Sequence, residues 1–209
     1  MSPITEFLRA LTDSNLLLGL IRAGGYPVIA AIIFAETGLF FGFYLPGESL
    51  IFLAGFAAAQ GMFSAATLIV LLSAMVILGD ATGYGLGKWM GQPLYKKKDT
   101  WWFKRRHLLA ARDFYAKHGG EAILLARFLP IVRTFAPLVA GIAGMDYARF
   151  SLYNVAGGVV WVSSMVGLGY ALGGNTWVRG HLEQSVLMVI GVSFLPIMVE
   201  TIRIVKTKK

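Results

Sequence analysis

Long apolar segments separated by shorter polar ones dominate the hydrophobic pattern of this chain. Residues 26–45, 65–87 and 150–174 each form a mostly apolar block of at least 20 residues, and a helix needs about 20 to cross the core of a bilayer. Residues 49–59 are uncharged but too few to cross, and residues 122–145 are apolar but interrupted by charges and prolines. This pattern predicts an all-α, polytopic membrane protein.

The two ends of the chain differ from its apolar middle. Residues 1–22 alternate apolar and charged positions, which is typical of an amphipathic helix lying in the membrane interface. We predict that residues 23–202 form a single transmembrane domain. The domain is predicted to contain two halves, at about 23–95 and 107–180, and a C-terminal helix at 186–202, followed by a basic tail at 203–209.

Composition and charge support the membrane class. Hydrophobic residues make up 56% of the chain and charged residues 14%, whereas a soluble domain carries about 25% charged residues. The net charge of +8 comes from Lys and Arg beside the apolar segments, a placement that favours anionic headgroups over nucleic acid as the partner. The absence of Cys excludes disulfides and thiolate metal sites, and we predict neither a metal nor a cofactor.

The distribution of basic residues predicts which parts of the chain face the cytoplasm. Residues 88–117 and the tail are rich in Lys and Arg, so both are expected on the cytoplasmic side. An even number of crossings must then separate them, and segments 150–174 and 186–202 already supply two. Segment 122–145 must therefore enter and leave the membrane by the same face, which makes it re-entrant.

A weak internal repeat extends this topology to the first half of the chain. The matches are Leu45-Pro46 with Leu129-Pro130, Ala54-Gly55 with Ala140-Gly141, and residues 83–87 with residues 169–173. The long helices of the two halves would run in opposite directions, so the repeats are predicted to be inverted. Inverted repeats of transporters bring broken helices together near the midplane. Here the turns at Pro46-Gly47 and at Pro130 to Pro137 would meet there.

Four ionisable residues lie within or beside apolar segments: Glu36, Glu48, Arg127 and Arg133. Each unpaired charge would cost roughly 2.5–3.5 kcal/mol at the centre of a bilayer, so these side chains need partners or a water-filled cavity. Because Pro and Gly break both segments between the charged positions, each pair is able to converge on one cavity. Two buried salt bridges that only hold the re-entrant segments together are the alternative. For Asp80, a place at a cavity and a place at the cytoplasmic interface both stay open.

Other polar and small residues favour helix packing over chemistry. Asn154, near the start of a long apolar helix, is expected to make a hydrogen bond between helices rather than to bind a substrate. The glycines Gly83, Gly85 and Gly87 do not follow a strand, so a dinucleotide site is a poor interpretation of their spacing. We predict that they allow close helix packing.

Two longer motifs resemble the signatures of a known family. The first covers residues 43–50 (FYLPGESL), is preceded by Glu36 in Glu-Thr-Gly, and is followed later by Asp80 after a glycine. The second covers residues 126–137 (ARFLPIVRTFAP) and continues into residues 153–157 (YNVAG). Over about residues 20–205, the chain resembles the DedA family of bacterial membrane proteins.

The resemblance implies a function that spacing does not show. The family is linked to returning undecaprenyl phosphate, the lipid carrier of cell-wall synthesis, across the bacterial cytoplasmic membrane, and to the proton-motive force. The positions corresponding to Glu36, Glu48, Arg127 and Arg133 are regarded as functional in it. A multi-pass protein of the inner membrane is therefore expected, and the charge pattern predicts a cytoplasmic C-terminus.

We expect a transporter of an anionic polyprenyl phosphate or phospholipid, and not an enzyme. Arg127 and Arg133 would bind the phosphate, while Glu36, Glu48 or Asp80 would carry a proton or balance charge. A proton-coupled carrier of a small soluble ion or drug is the alternative. A lipid-phosphate phosphatase, or a purely structural role, is a rival from another class. Membrane lipids and protons are the expected partners, nucleic acid is not, and a homo-oligomer stays open.

Overall fold

In the computed structural model, all the regular elements of the described residues are helices. The structure describes residues 14–38, 47–96, 113, 115, 117, 119–127, 130–175, 181 and 184. The helices are α1 (Ser14–Gly38), α2 (Gly47–Ala59), α3 (Ala65–Lys96), α4 (Glu121–Ala126), α5 (Pro130–Ile142) and α6 (Tyr147–Gly173). The predicted all-α class is confirmed. Most of the basic loop, the predicted helix at 186–202 and the tail lie outside the described residues.

Helix length divides these elements into two classes. Segments Leu16–Gly38, Ala65–Gly91 and Tyr147–Gly173 are long and apolar enough to cross a membrane, which agrees with the predicted polytopic class. By contrast, α2 and α5 have 13 residues each, about 20 Å at 1.5 Å per residue, and a hydrocarbon core is about 30 Å thick. The predicted domain boundary at residue 22 stays a prediction. Helix α1 runs past this residue and leaves helical geometry only at Gly25 (φ 56°).

The chain forms two compact units, and the long helices contribute to both. Unit 1 takes residues 1–33, 44–75 and 159–209, and unit 2 takes residues 34–43 and 76–158. Unit 1 therefore holds the first part of α1, all of α2, the start of α3 and the end of α6. Unit 2 holds the end of α1, most of α3, all of α4 and α5, and the start of α6.

In unit 1, the short helix α2 is nearly enclosed by its neighbours and packs closely on α6. Eleven of its 13 residues are buried, among them Phe52, whose side chain is 0% exposed. A Cβ atom at Gly55 would overlap the backbone of Val166, and one at Gly169 would overlap the carbonyl of Phe52. Small residues at these positions let the two backbones approach, as is common between membrane helices.

Unit 2 uses the same kind of contact between α3 and the other short helix, α5. A Cβ at Gly87 would overlap the carbonyl of Leu138, and one at Gly141 would overlap the carbonyl of Tyr84. A Cβ at Gly85 would meet no atom within 4 Å. The predicted role in close packing is therefore confirmed for Gly87 and does not apply to Gly85.

Aromatic side chains fill the core of unit 2. The ring of Tyr84 stacks on that of Phe150 with 4.6 Å between centroids, and its hydroxyl donates a hydrogen bond to the carbonyl of Met145. The hydroxyl of Tyr115 donates to the carbonyl of Ala136 at 3.2 Å. Burial raises the pKa of Tyr115 to about 12, so this phenol keeps the proton that it donates.

Helices α3 and α6 begin in the same way, and helices α2 and α5 end in the same way. Ser64 Oγ accepts the backbone N–H three residues later at 3.3 Å, and Asp146 Oδ1 does the same at 2.9 Å, so both residues cap the N-terminus of a helix. After α2 and α5 the chain turns at Gly61 (φ 80°) and Gly144 (φ 73°). Glycine adopts this left-handed conformation without the steric cost that other residues meet.

We predict that Gly87→Ala and Gly169→Ala each lower the free energy of unfolding by about 1–3 kcal/mol, because their new methyl groups overlap a rigid carbonyl. The matched controls are Gly85→Ala and Gly167→Ala, where the methyl group meets open space. Alanine favours a helix over glycine by about 1 kcal/mol, so the controls should be neutral or stabilised. Reversible unfolding in mixed detergent measures the four values, and equal changes in variants and controls would contradict this packing.

Candidate functional site

A break between two helices of unit 2 separates the two arginines of the second motif. Helix α4 ends at Ala126, and α5 begins at Pro130, a first position at which the missing N–H of proline is not needed. Arg127 directly follows α4, and Arg133 lies in the first turn of α5. The apolar segment is thus two helices rather than one, so the directions of the two side chains do not follow the spacing of a continuous helix.

Arg127 is held by three hydrogen bonds that all leave from its Nη2 nitrogen. The acceptors are Oδ2 of Asp80 at 2.5 Å, the backbone carbonyl of Asn154 at 3.1 Å, and the side-chain Oδ1 of Asn154. The side chains of Arg127 and Asp80 are only 9% and 7% exposed. The guanidinium is therefore a buried cation with a charged partner and two neutral acceptors.

Asn154 is itself fixed in place by a neighbouring helix. Its Nδ2 donates a hydrogen bond to the carbonyl of Ile77 at 3.1 Å, so the residue joins α6 to α3 in addition to accepting from Arg127. The prediction of a hydrogen bond between helices is confirmed. Sequence reasoning missed the second partner, Arg127, because it lies 27 positions away on a different element.

Arg133 forms the second buried ion pair. Its Nη2 donates to Oε1 of Glu36 at 2.8 Å, with side-chain exposures of 11% and 4%. Glu36 belongs to the last turns of α1, which lie in unit 2. The pair joins residues 97 positions apart in the chain, so it links the first apolar segment to the second motif.

The two pairs belong to one electrostatic cluster within unit 2. Asp80 is attracted by Arg133 as well as by Arg127, so the charges of both pairs act on each other. Two carboxylates and two guanidiniums are formally neutral together when all four are ionised. We call Glu36, Asp80, Arg127 and Arg133 the charge cluster. In apolar surroundings such charges are stable only while they are paired.

The remaining site candidates lie elsewhere or are not described. Glu48 is half-buried in the first turn of α2 and belongs to unit 1, and Gly47 is the first residue of that helix. Pro137 lies inside α5, where Gly83 faces it across the contact with α3. Pro46 lies outside the described residues. Within the described ranges, no group of three or more His, Cys, Asp or Glu side chains is arranged to hold a metal ion.

Comparison with known proteins gives a consistent set of similarities. Residues 45–171 match the family model described as the VTT domain. The chain is 41% identical to Protein DedA of Escherichia coli strain K12 over 180 residues, which cover 85% of this chain and 82% of the relative. It is 38% identical, over 87% of its length and 81% of the relative, to an uncharacterized membrane protein of Mycobacterium leprae strain TN.

A further relative carries a location in its name. The Inner membrane protein YghB of Escherichia coli strain K12 is 36% identical over 172 residues, which cover 81% of this chain and 78% of that protein. No solved structure gives a significant match.

We predict that Asp80 and Arg127 depend on each other energetically. Asp80→Leu or Arg127→Met alone leaves a buried charge without its partner, which should lower the free energy of unfolding by about 3–5 kcal/mol. In the double variant no charge is stranded, so its loss should be well below the sum of the two single losses. Unfolding in mixed detergent measures this cycle, and additive losses would show that the two side chains do not form a pair.

Proposed function

This chain belongs to the DedA family of membrane proteins, and from that premise we propose that it moves an anionic lipid across a bacterial cytoplasmic membrane. The lipid is a polyprenyl phosphate such as undecaprenyl phosphate, or a phospholipid. One observation carries the proposal: two arginine–carboxylate pairs are buried among apolar helices, where they form the charge cluster. The lipid tail stays in the bilayer while the phosphate passes through the protein.

The arginines suit a phosphate because of their shape as well as their charge. A guanidinium is planar and donates two parallel hydrogen bonds to two oxygens of a phosphate, which an ammonium group cannot do. In the charge cluster, both guanidiniums now face carboxylates, which have the same two-oxygen geometry. A phosphate entering the cluster would thus compete with Glu36 or Asp80 for Arg133 and Arg127.

Charge balance gives the proposed link to protons. The charge cluster is formally neutral, so a phosphate that brings about −1.5 to −2 charges leaves an excess of negative charge in a site with little water. Protonation of one carboxylate relieves that excess, and burial favours the neutral form of a carboxyl group. We assign this exchange to Glu36, the partner of Arg133, and give Glu48 a structural role.

We propose that the fold used for transport consists of two repeats, in which the short helix of each repeat packs on the long helix of the other. The contacts within the two units correspond when each residue of α2 is matched to the residue of α5 that lies 86 positions later in the chain. Residues of α3 are likewise matched to residues of α6 that lie 82 positions later. The corresponding contacts are Gly55–Val166 with Gly141–Tyr84, Phe52–Gly169 with Leu138–Gly87, and Phe56–Gly173 with Ile142–Gly91. The two helix caps, Ser64 and Asp146, also lie 82 positions apart. The sequence repeat matched residues 83–87 with residues 169–173, which is an offset of 86. The contacts instead align α3 with α6 at an offset of 82, a difference of about one helical turn.

The helix lengths support a re-entrant position for α2 and α5 in that fold. Each is too short to cross a hydrocarbon core, and each packs by small residues on the long helix of the other repeat. Helix α3 leads into the basic residues 88–117, whereas α6 follows them, so the two long helices run in opposite directions relative to the cytoplasm. The repeats are then inverted: the segment that contains α2 enters and leaves by the periplasmic face, and the segment that contains α5 enters and leaves by the cytoplasmic face.

We place the protein in the inner membrane with its C-terminus in the cytoplasm, because the tail is basic and a relative is named an inner membrane protein. We also propose that it is not an enzyme. The charge cluster consists of carboxylates and guanidiniums whose arrangement suits binding and release of an anion. Hydrolysis of a phosphate ester would require in addition an activated nucleophile.

The topology gives a prediction on a chain that has no native Cys. Gln60→Cys, after α2, should react with a membrane-impermeant maleimide from the periplasm, and Ala148→Cys, at the start of α6, from the cytoplasm. Both positions are exposed. Reaction of both from the same side, or of Ala148→Cys from the periplasm alone, would contradict inverted repeats with re-entrant short helices.

The transport proposal is tested in liposomes that contain labelled undecaprenyl phosphate, with and without a pH gradient. The wild type should move the lipid between leaflets and respond to the gradient. Arg127→Lys and Arg133→Lys keep the charge but lose the planar fork, so each should fall about tenfold or more in rate. Glu36→Gln should still bind the lipid but lose the response to the gradient, whereas Glu48→Gln should lose binding or folding.

Phosphatidylcholine, which is formally neutral, serves as the control lipid in the same vesicles. Wild-type rates that equal those of empty vesicles would end the proposal of lipid transport. Normal rates for both lysine variants would instead show that the arginines only balance charge, because the bidentate contact with phosphate would then be unnecessary.

A further inference from the structure

Arg127 of the charge cluster is held by residues on two different helices. All three hydrogen bonds that Arg127 makes to described residues leave from Nη2, and they go to two residues on two helices, Asp80 on α3 and Asn154 on α6. One corner of the Arg127 guanidinium is thus fixed from two sides, which sets the direction of the whole planar group.

The backbone beside Arg127 has space made for this arrangement. A Cβ at Gly157 would lie 2.8 Å from both Cδ and Nε of Arg127, so the arginine stem occupies the place where any other residue has its side chain. Nε is buried and has no hydrogen-bond partner in the described part of the chain. The arginine is therefore positioned by Nη2 and by the glycine slot.

The close packing of helices in unit 1 is achieved without polar residues at the positions that correspond to Asp80 and Asn154. Positions 82 residues away from Asp80 and Asn154 are Val162 and Leu72 in unit 1, and both are fully buried apolar side chains. Unit 1 makes the corresponding glycine contacts with apolar residues in those places. Since buried ion pairs are seldom more stabilising than apolar packing, Asp80 and Asn154 point to a role in the site.

We propose that Asp80 and Asn154 are positioning residues, which hold Arg127 by Nη2 so that its Nη1 edge faces the phosphate of the transported lipid. This inference rests on the proposed function and assigns separate tasks within the charge cluster. Asp80, which forms an ion pair with Arg127, stays the fixed counter-ion through the cycle. Glu36 is the carboxylate that leaves its arginine and exchanges a proton.

The test separates positioning from charge and from folding. Asn154→Ala removes the hydrogen bond of its amide oxygen to Arg127 and the hydrogen bond of its Nδ2 to Ile77, without changing any charge. Asp80→Asn removes the counter-ion but keeps the size of the side chain. The matched controls are Thr82→Ala and Ser164→Ala, on the same two helices, whose hydroxyls are exposed and donate only to carbonyls of their own helix.

Two measurements are made on each full-length variant. Binding is measured in detergent as the shift of the unfolding midpoint with rising dodecyl phosphate, a soluble probe for a lipid phosphate. Transport of undecaprenyl phosphate in liposomes is measured against its concentration, with and without a pH gradient. Variants that show one cooperative unfolding transition without probe are folded, even where the midpoint is lower than that of the wild type, and Asp80→Glu is added as a conservative variant that keeps the carboxylate.

Asn154→Ala and Asp80→Asn should weaken binding roughly 10-fold to 100-fold, the range for a lost hydrogen bond to a charged group. They should raise the apparent KM for the lipid by a similar factor and still respond to the pH gradient, whereas Glu36→Gln loses that response. Asp80→Glu should recover part of the affinity, and both controls should bind as the wild type does.

Different results would contradict the positioning role and the proposed lipid transport. Normal dodecyl phosphate binding in both variants would overturn the positioning role, as would a wild type that does not bind the probe. Loss of the gradient response in Asp80→Asn, with binding retained, would make Asp80 the proton carrier and also overturn it. If the wild type binds the probe in this pattern but moves no undecaprenyl phosphate, positioning stands and lipid transport is wrong.

Discussion

Pairing of buried charges is the constraint on which the rest of this structure depends. Four ionisable side chains of unit 2 lie among apolar helices, and together, if charged and unpaired, they would cost about as much as the whole stability of a typical fold. Two carboxylate–guanidinium pairs remove that cost. They also fix which elements meet: the end of α1 with α5, and α3 with the end of α4 and the start of α6. An anion that replaces one carboxylate keeps the pairing satisfied, so the same constraint permits a binding site.

Small residues supply the second condition, because a short helix can be enclosed only where backbones approach. Helices α2 and α5 reach the carbonyls of α6 and α3 at glycines, and each is followed by a glycine that turns the chain. The two units solve the packing problem alike, yet of the described residues at the matched positions, those of unit 2 are polar (Asp80 and Asn154) and those of unit 1 are apolar (Val162 and Leu72). This difference agrees with the proposed role of unit 2 in binding the phosphate.

Much of this was predictable from sequence, for identifiable reasons. Block length and low charge predicted the membrane class, and charges within or beside apolar segments identified Glu36, Glu48, Arg127 and Arg133 as residues that needed partners. Sequence could not assign the partners, since Arg133 and Glu36 are 97 positions apart and pairing depends on the break between α4 and α5. Asp80 was left undecided for the same reason. Gly157 gave no signal, because a glycine that makes room for an arginine resembles one that makes room for a helix.

The central claim is that phosphate replaces Glu36 on Arg133 while Arg127 keeps Asp80. Solid-state NMR of the protein in bilayers tests this directly, through the dipolar couplings of guanidinium 15N to carboxylate 13C and to substrate 31P. Without lipid phosphate, both arginines should couple to their carboxylates. With it, the Arg133 signal should gain a 31P coupling and lose the Glu36 coupling, while the coupling of Arg127 to Asp80 persists. Retention of the Glu36 coupling with no 31P contact at either arginine would contradict the account.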